Sequence, residues 1–508
     1  MRTPILSLAL LALVVGACGG SSSSGQSGAA GASSAPDHHQ PTVAPWPEPI
    51  PTPYGGVTYE DPGVNPYVDP DEDQVSTFAL DVDTASYSIA QRYVDDGNRP
   101  DPASVRVEEW VNAFAQGYEA PGDDTFAILA DGGPTPFTEP DEILLRIGLQ
   151  ARDVRAGARE DAALTFVIDT SGSMEREGRL ELVKDALRLL VDQLGRNDTV
   201  AIVTFGDDAR VLLEPTRATD ANRILGTIEE LRPGGSTNLE AGLRLGYELA
   251  RSSLTENGID RVVLASDGVA NVGLTDPESI LGAIARDAEA GIELVSVGVG
   301  MGNYNDTLLE QLADQGDGFY AYVNVLDEAR RLFTEDLTGT LQTVALDARA
   351  QVAFDADIVA AYRLVGYENR AIDDQAFVDP NVEAGAIGAG HASTALYALR
   401  LREDIGRQDV LGTVRLRWTD PATGSVDELE HQIRTSDLAR TFEATDPYFR
   451  FDAIVAATAE VLRGSPWTER LDLEAVADLA DREASGLPET DEVHGFLELL
   501  DRMADLSG

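Results

Sequence analysis

From residue 163 to about 340 the chain switches repeatedly between two kinds of hydrophobic spacing. Runs at 164–168, 199–205, 211–213, 261–266, 293–299 and 319–323 are short and largely apolar, as in LTFVI and TVAIVTF. Such runs suit strands covered on both faces of a sheet. Between them, 179–194, 220–231, 239–252, 277–290, 304–315 and 325–340 place apolar residues every three or four positions, the spacing of one helix face. Alternation of this kind predicts an α/β unit, a mainly parallel sheet with helices on both faces. In such sheets ligands bind beyond the carboxyl ends of the strands, where the strand order reverses.

The flanks have a different texture. Residues 78–83 predict a strand, followed by helices at 85–96 and 102–114 and strands at 126–129 and 142–152. After 340, strands are expected at 348–354, 361–367, 393–402, 410–418 and 429–433, which suits an antiparallel sheet or sandwich. From 446 onward the spacing becomes that of helical hairpins. The expected organisation is an α+β N-terminal region over 74–160, the α/β unit over 161–341, a β-rich C-terminal domain over 342–440 and a helical segment over 441–508. Strands from the two sides are expected to pair, so that the α/β unit is an insertion in a β-domain.

Residues 1–17 read as an export signal: Arg2, an apolar run from Ile5 to Val15, then Gly16 and Ala17. That run is too short to span a bilayer as a helix. Residues 18–73 are Ser/Gly-rich and then Pro-rich, a tether with too little apolar surface to offset its ordering entropy. Val15-Gly16-Ala17-Cys18 resembles the bacterial lipobox, which implies a signal peptide cut before Cys18 and a palmitate-type lipid on that cysteine. The resemblance implies anchorage to the cell envelope, at the outer membrane or periplasmic face in a Gram-negative cell. Cys18 is the sole cysteine, so the chain forms no internal disulfide.

Chemistry concentrates in the α/β unit. Asp169, Ser171 and Ser173 follow directly on the strand at 164–168, Thr237 lies in the loop GGSTN, and Asp267 ends the strand at 261–266. These are all oxygen donors, which suits a hard divalent cation such as Mg²⁺, with Mn²⁺ and Ca²⁺ as alternatives. Asp169-x-Ser171-x-Ser173, a distant Thr237 and a distant Asp267 resemble the metal-ion-dependent adhesion site of the von Willebrand factor type A (vWA) family, whose fold is Rossmann-like. The resemblance implies that Ser171, Ser173 and Thr237 ligate the metal directly, and Asp169 and Asp267 directly or through water. It also implies an open position on the ion that receives an Asp or Glu carboxylate from a protein partner. Gly172 and Gly268 are expected to allow close backbone approach, and Met174 to pack rather than ligate. The segments TFALDVDTASYSIAQRYVDDG and VAAYRLVGYENRAIDDQAF resemble the domains that flank vWA in a family of bacterial lipoproteins.

Composition narrows the function classes. A formal net charge of −50 argues against nucleic acid, whose phosphates need clustered basic side chains. Lys184 is the sole lysine, which argues against P-loop nucleotide sites and protein kinases. Asp81-Val82-Asp83-Thr84 resembles part of the nucleophile motif of haloacid-dehalogenase-like phosphatases, but Ala85 stands at the motif's Thr position. Asp81 and Asp83 are therefore expected at a strand end and helix cap. His391, in a Gly-rich turn, is expected to be a loop residue. The reading is a membrane-anchored, metal-dependent binding module, not an enzyme; the alternative is a structural subunit of an envelope assembly in which the metal only stabilises.

Overall fold

A computed structural model describes residues 59, 61–80, 83–122, 124–139, 141–154, 159–255, 258–267, 280, 291–300, 306–314, 316, 318–335, 341–379, 384–403 and 405–507. The expected export signal, Cys18, most of the tether, Asp81, Gly268 and all but one residue of the helix expected at 277–290 lie outside these. Among the described residues no helix is long and apolar enough to cross a membrane.

The first flank supplies β1 (Val75–Ala79), α1 (Ala85–Asp95), α2 (Val107–Asn112), β2 (Phe126–Gly133) and β3 (Glu142–Ala151). β1 starts and ends earlier than the expected 78–83. The helix expected over 102–114 is broken: a turn of 3₁₀ helix at Pro102–Ser104 is followed by extended backbone at Val105 and Arg106, then α2. Arg106 is turned inward there, its backbone N–H donating to Ser86 Oγ at 2.9 Å and its guanidinium pairing with Glu109 at 3.3 Å.

The α/β unit follows with β4 (Ala162–Asp169), α3 (Arg179–Gln193), β5 (Thr199–Phe205), β6 (Ala209–Arg217), α4 (Ala221–Ile228) and α5 (Leu239–Arg251). It continues through β7 (Ile259–Ser266), β8 (Glu293–Val299), α6 (Asp306–Asp314), β9 (Tyr320–Val323) and α7 (Leu326–Arg330). The helix expected over 325–340 is α7 continued by a π-helical stretch, Arg331–Glu335. The sheet order is β6-β5-β4-β7-β8-β9, parallel except for β6 at one edge. Each residue of β4 is buried, because α3 and α4 cover one face of the sheet and α5 and α6 the other. Chain order runs one way from β4 to β5 and resumes on the other side at β7, so the topological switch point lies between β4 and β7.

The second flank contributes β10 (Thr343–Phe354), β11 (Val359–Val365), β12 (Ile387–Gly388), β13 (Ala392–Leu401), β14 (Val410–Thr419) and β15 (Val426–Arg434). Helices α8 (Pro447–Leu462), α9 (Leu473–Glu483) and α10 (Asp491–Asp505) close the chain. Strands from the two flanks pair antiparallel: Phe78 of β1 opposes Ala350 of β10, and Ile147 of β3 opposes Ala395 of β13. One sheet runs β1-β10-β14-β15 with β12 beside β10; the other runs β11-β13-β3-β2. Period-two alternation explains how they pack. Leu145, Ile147, Leu149, Tyr397 and Leu399 face the core shared with the first sheet, whereas Leu144, Leu396 and Ala398 face the helical layer.

Helix α1 joins these bodies because it is apolar on two faces. Ala85, Ile89 and Tyr93, spaced four apart, pack into the α/β unit, while Tyr87, Ala90 and Val94 pack with α2, α8 and α10. A buried ion network reinforces the joint. Asp83 accepts from the Tyr320 N–H at 3.1 Å and pairs with Arg370 at 2.9 Å. Glu310 on α6 binds both Arg370 and Arg106, each at 3.2 Å. Glu109 pairs with Arg106 and accepts from the Ser86 N–H at 2.8 Å. Asp83 is thus no helix cap: α1 has Thr84 at its N-cap position, with no side-chain cap bond.

His391 is a loop residue, as expected, but its ring is turned inward. It lies just before β13, with its ring edge-on to Phe319 of the α/β unit at 6.3 Å between centroids. Its Nδ1 is buried with no hydrogen-bond partner among the described residues. Burial, and secondarily the Arg261 guanidinium, push the imidazole pKa down to about 4. The folded state therefore binds that proton less readily than the unfolded chain, so the contribution is intact above pH 6.5 and is lost as pH falls towards 4. At pH 5 the loss is about 2 kcal/mol relative to pH 7.5. Urea unfolding of the unmutated chain and of His391→Gln at both pH values checks this: the unmutated chain should lose about 2 kcal/mol more. Equal losses would exclude a buried neutral histidine.

Candidate metal centre

Three loops meet beyond the carboxyl ends of β5, β4 and β7. The loop after β4 is tied to that after β5 by the Thr170 N–H and Oγ, which donate to Phe205 O at 2.8 and 2.9 Å. The loop carrying Thr237 is held between them. Gly234 N donates to Thr170 O at 2.7 Å, Gly172 N to Gly235 O at 3.1 Å and Asn238 N to Gly206 O at 3.0 Å. Asn238 then caps α5, its side chain accepting from Ala241 N. The glycine freedom used here is that of Gly235, at φ +92°. A Cβ on Gly172 would meet only ordinary contact, the nearest atom, Gly235 O, lying at 3.6 Å.

Asp169 and Asp267 are both fully buried. Asp169 Oδ1 accepts from the Ser171 N–H at 2.7 Å, and its Oδ2 from Ser266 Oγ at 2.8 Å. Ser171 Oγ and Ser173 Oγ share a hydrogen bond of 2.9 Å, and Thr237 is buried beside this loop. Met174 packs into the core under α3. Asp267 Oδ2 accepts from Arg179 Nη1 at 2.9 Å, while its Oδ1 is buried with no hydrogen-bond partner among the described residues. Burial first, and then the Asp267 charge, raise the Asp169 pKa to about 6, against the opposing bonds from Ser171 and Ser266.

Two buried carboxylates that repel each other, one with an orphaned oxygen, fit a cation. Among the described residues no group of three or more His, Cys, Asp and Glu is placed to hold a metal. The donor set therefore depends on the hydroxyls of Ser171, Ser173 and Thr237, a hard-oxygen set suited to Mg²⁺ or Mn²⁺. Sequence reading missed Ser266 and Arg179. Ser266 is adjacent to a recognised site residue; Arg179 betrays itself by sitting at the first position of a helix, where a positive charge opposes the macrodipole.

Fold and loop arrangement are those of a von Willebrand factor type A domain, a class of protein-interaction and adhesion modules, and the family model of that name matches residues 163–335. Further models match on either side: one described as von Willebrand factor at 54–146, and the C-terminal model of uncharacterized protein YfbK at 339–506. The chain is 33% identical over 480 residues to uncharacterized protein YfbK of Escherichia coli (strain K12), spanning 89% of this chain and 82% of that one. It belongs to the YfbK family of vWA-domain proteins. It is also similar to uncharacterized protein sll0103 of Synechocystis, 28% identical over 320 residues, covering 61% of this chain and 74% of that protein. Among solved structures, a von Willebrand factor type A protein from Catenulispora acidiphila aligns with a TM-score of 0.45 at 16% identity, over 73% of this chain and 89% of that one.

Proposed function

We propose that this chain is a non-enzymatic, metal-dependent protein-binding module of the cell envelope. A divalent cation, Mg²⁺ or Mn²⁺ by donor chemistry with Ca²⁺ as the alternative, is held by Asp169, Ser171, Ser173, Thr237 and Asp267. It supplies an electropositive centre for an Asp or Glu carboxylate of a protein partner. One observation carries the reading: a buried, mutually repelling carboxylate pair at the switch point, with Asp267 Oδ1 left without a hydrogen-bond partner among the described residues. Hydroxyl-rich ligation leaves the ion under-neutralised, which favours capture of an anionic side chain over hydrolysis. In the same proposal, acylation of Cys18 anchors the chain to the envelope, and the tether holds the folded part away from the bilayer.

The buried ion network between the vWA unit and its flanks favours a second reading, a scaffold in which the cation only stabilises. Capture of envelope proteins on the purified chain, with Mg²⁺ or with chelator, separates the two. A partner retained only with Mg²⁺, and not by Asp169→Ala, is the expected outcome. Capture indifferent to chelator and to that substitution would leave the scaffold.

A further inference from the structure

The last part of the stretch expected as a tether is docked on the folded chain. Tyr59 packs against the core of the vWA unit and hydrogen-bonds with Tyr93 of α1. Asn65 is held at four points by residues far along the sequence. Its N–H donates to Glu368 Oε1 at 3.1 Å, and its side-chain amide to Leu364 O at 3.2 Å and Gly366 O at 2.8 Å. Its carbonyl accepts from Trp467 Nε1 at 3.1 Å. Tyr67 lies edge-on to Trp467 at 5.0 Å between centroids, with the Arg400 guanidinium 4.3 Å from its ring centre. Val68 exchanges backbone bonds of 2.8 and 3.0 Å with Tyr362 on the outer edge of β11, and Asp71 pairs with Arg402 at 2.9 Å. These contacts are specific but shallow. Within 61–71 only Pro70 is fully buried, and Tyr59, Tyr67 and Val68 sit at the rims of the cores. β1, which follows, pairs through all five of its residues with β10 and places Phe78 inside the core. A segment with few buried contacts opens at a much lower free energy than a core strand.

We propose that residues 59–71 form a releasable clasp, which bridges the vWA unit and the sandwich and keeps the tether short. A pull on the chain from its N-terminal side acts on Tyr59 and Asn65 before it reaches β1, so the clasp yields while β1 stays paired with β10. Release of residues 59–74 lengthens the tether by about 50 Å, at about 3.3 Å per residue. It also bares the β11 edge and the seat of Asn65. The gain in reach matters for a chain held by lipid on Cys18, and that part rests on the anchor reading above. The clasp itself does not.

The test is hydrogen exchange followed by mass spectrometry on the purified, unlipidated chain, with a synthetic peptide of residues 59–73 as the reference for an undocked segment. In the unmutated chain, fragments covering 65–71 should exchange about a hundredfold or more slower than the free peptide. Fragments covering 75–79 should be slower again by at least about tenfold. Asn65→Ala keeps the backbone bonds and removes the two side-chain amide bonds. At a factor of about five for each net hydrogen bond, it should speed exchange of 65–71 by about twentyfold and leave 75–79 unchanged. Tyr67→Ala should act in the same direction on the same fragments. The unchanged rate of 75–79 shows in the same experiment that each variant is folded. Exchange of 65–71 at the rate of the free peptide would mean that no clasp forms. Exchange of 65–71 and 75–79 at one common rate, moved together by Asn65→Ala, would make the segment part of the body and not a releasable clasp. Either result overturns the proposal. No lipid is present, so such a failure strikes the clasp and leaves the anchor reading standing.

Discussion

In the presence of chelator, Asp169→Asn should be more stable than the unmutated chain by about 2–3 kcal/mol at pH 7.5. The Asp169 pKa is raised to about 6 in the folded protein, chiefly by burial and then by Asp267. A carboxyl whose folded pKa lies above its unfolded value costs stability once ionised; the cost is absent below the unfolded value and complete above about 6. Asparagine keeps an oxygen to accept from the Ser171 N–H and sheds the charge. Adding Mg²⁺ should reverse the order, because only the unmutated chain gains binding free energy. Thermal unfolding with and without Mg²⁺ reads both effects. A variant that is less stable in chelator would mean that Asp169 and Asp267 are not strained against each other; a Mg²⁺ shift that survives the substitution would place the cation elsewhere.

Arg370→Ala should cost about 3–5 kcal/mol, because it takes a shared guanidinium from two buried carboxylates, removing the Asp83 ion pair at 2.9 Å and leaving Glu310 to Arg106 and Asn369. The substitution lies far from the Asp169 loop in sequence, yet it loosens the joint between the vWA unit and the sandwich. Denaturant unfolding should show the loss, and limited proteolysis should release the vWA unit before the flanks are degraded. A loss below about 1 kcal/mol would mean that the network is solvated in solution and that the α1 packing alone holds the joint.

What the sequence revealed follows from the range over which each feature is determined. β5 and β8 match the expected 199–205 and 293–299 because a strand buried on both faces is a continuous apolar run. Asp169, Ser171 and Ser173 were legible because a strand end and a short loop are local features. β1 was misplaced because Phe78, Leu80 and Val82 continue the period-two pattern, while β1 itself ends at Ala79. Asp83 was read as a cap because its partners Tyr320 and Arg370 are 237 and 287 residues away. No periodicity reports such pairs. Arg179 and the buried Nδ1 of His391 went unseen for the same reason: each is defined by what surrounds it in the folded chain.

The pairing of β1 with β10 carries a consequence for the order of assembly. Phe78 and Ala350 are partners, yet the whole vWA unit is synthesised between them. Closing a flexible loop of that length costs about 5 kcal/mol by polymer statistics, and contacts of such sequence separation form slowly. Domains generally fold as units, and an insert that folds first replaces a long coil with one compact body. The vWA unit thus acts as its host's internal template: β1 and the open β3 edge of the β2–β3 pair wait until it has folded and the strands beyond residue 343 arrive. A lesion that slows the insert would leave those edges open to other chains, so damage inside the vWA unit would surface as aggregation of the sandwich around it.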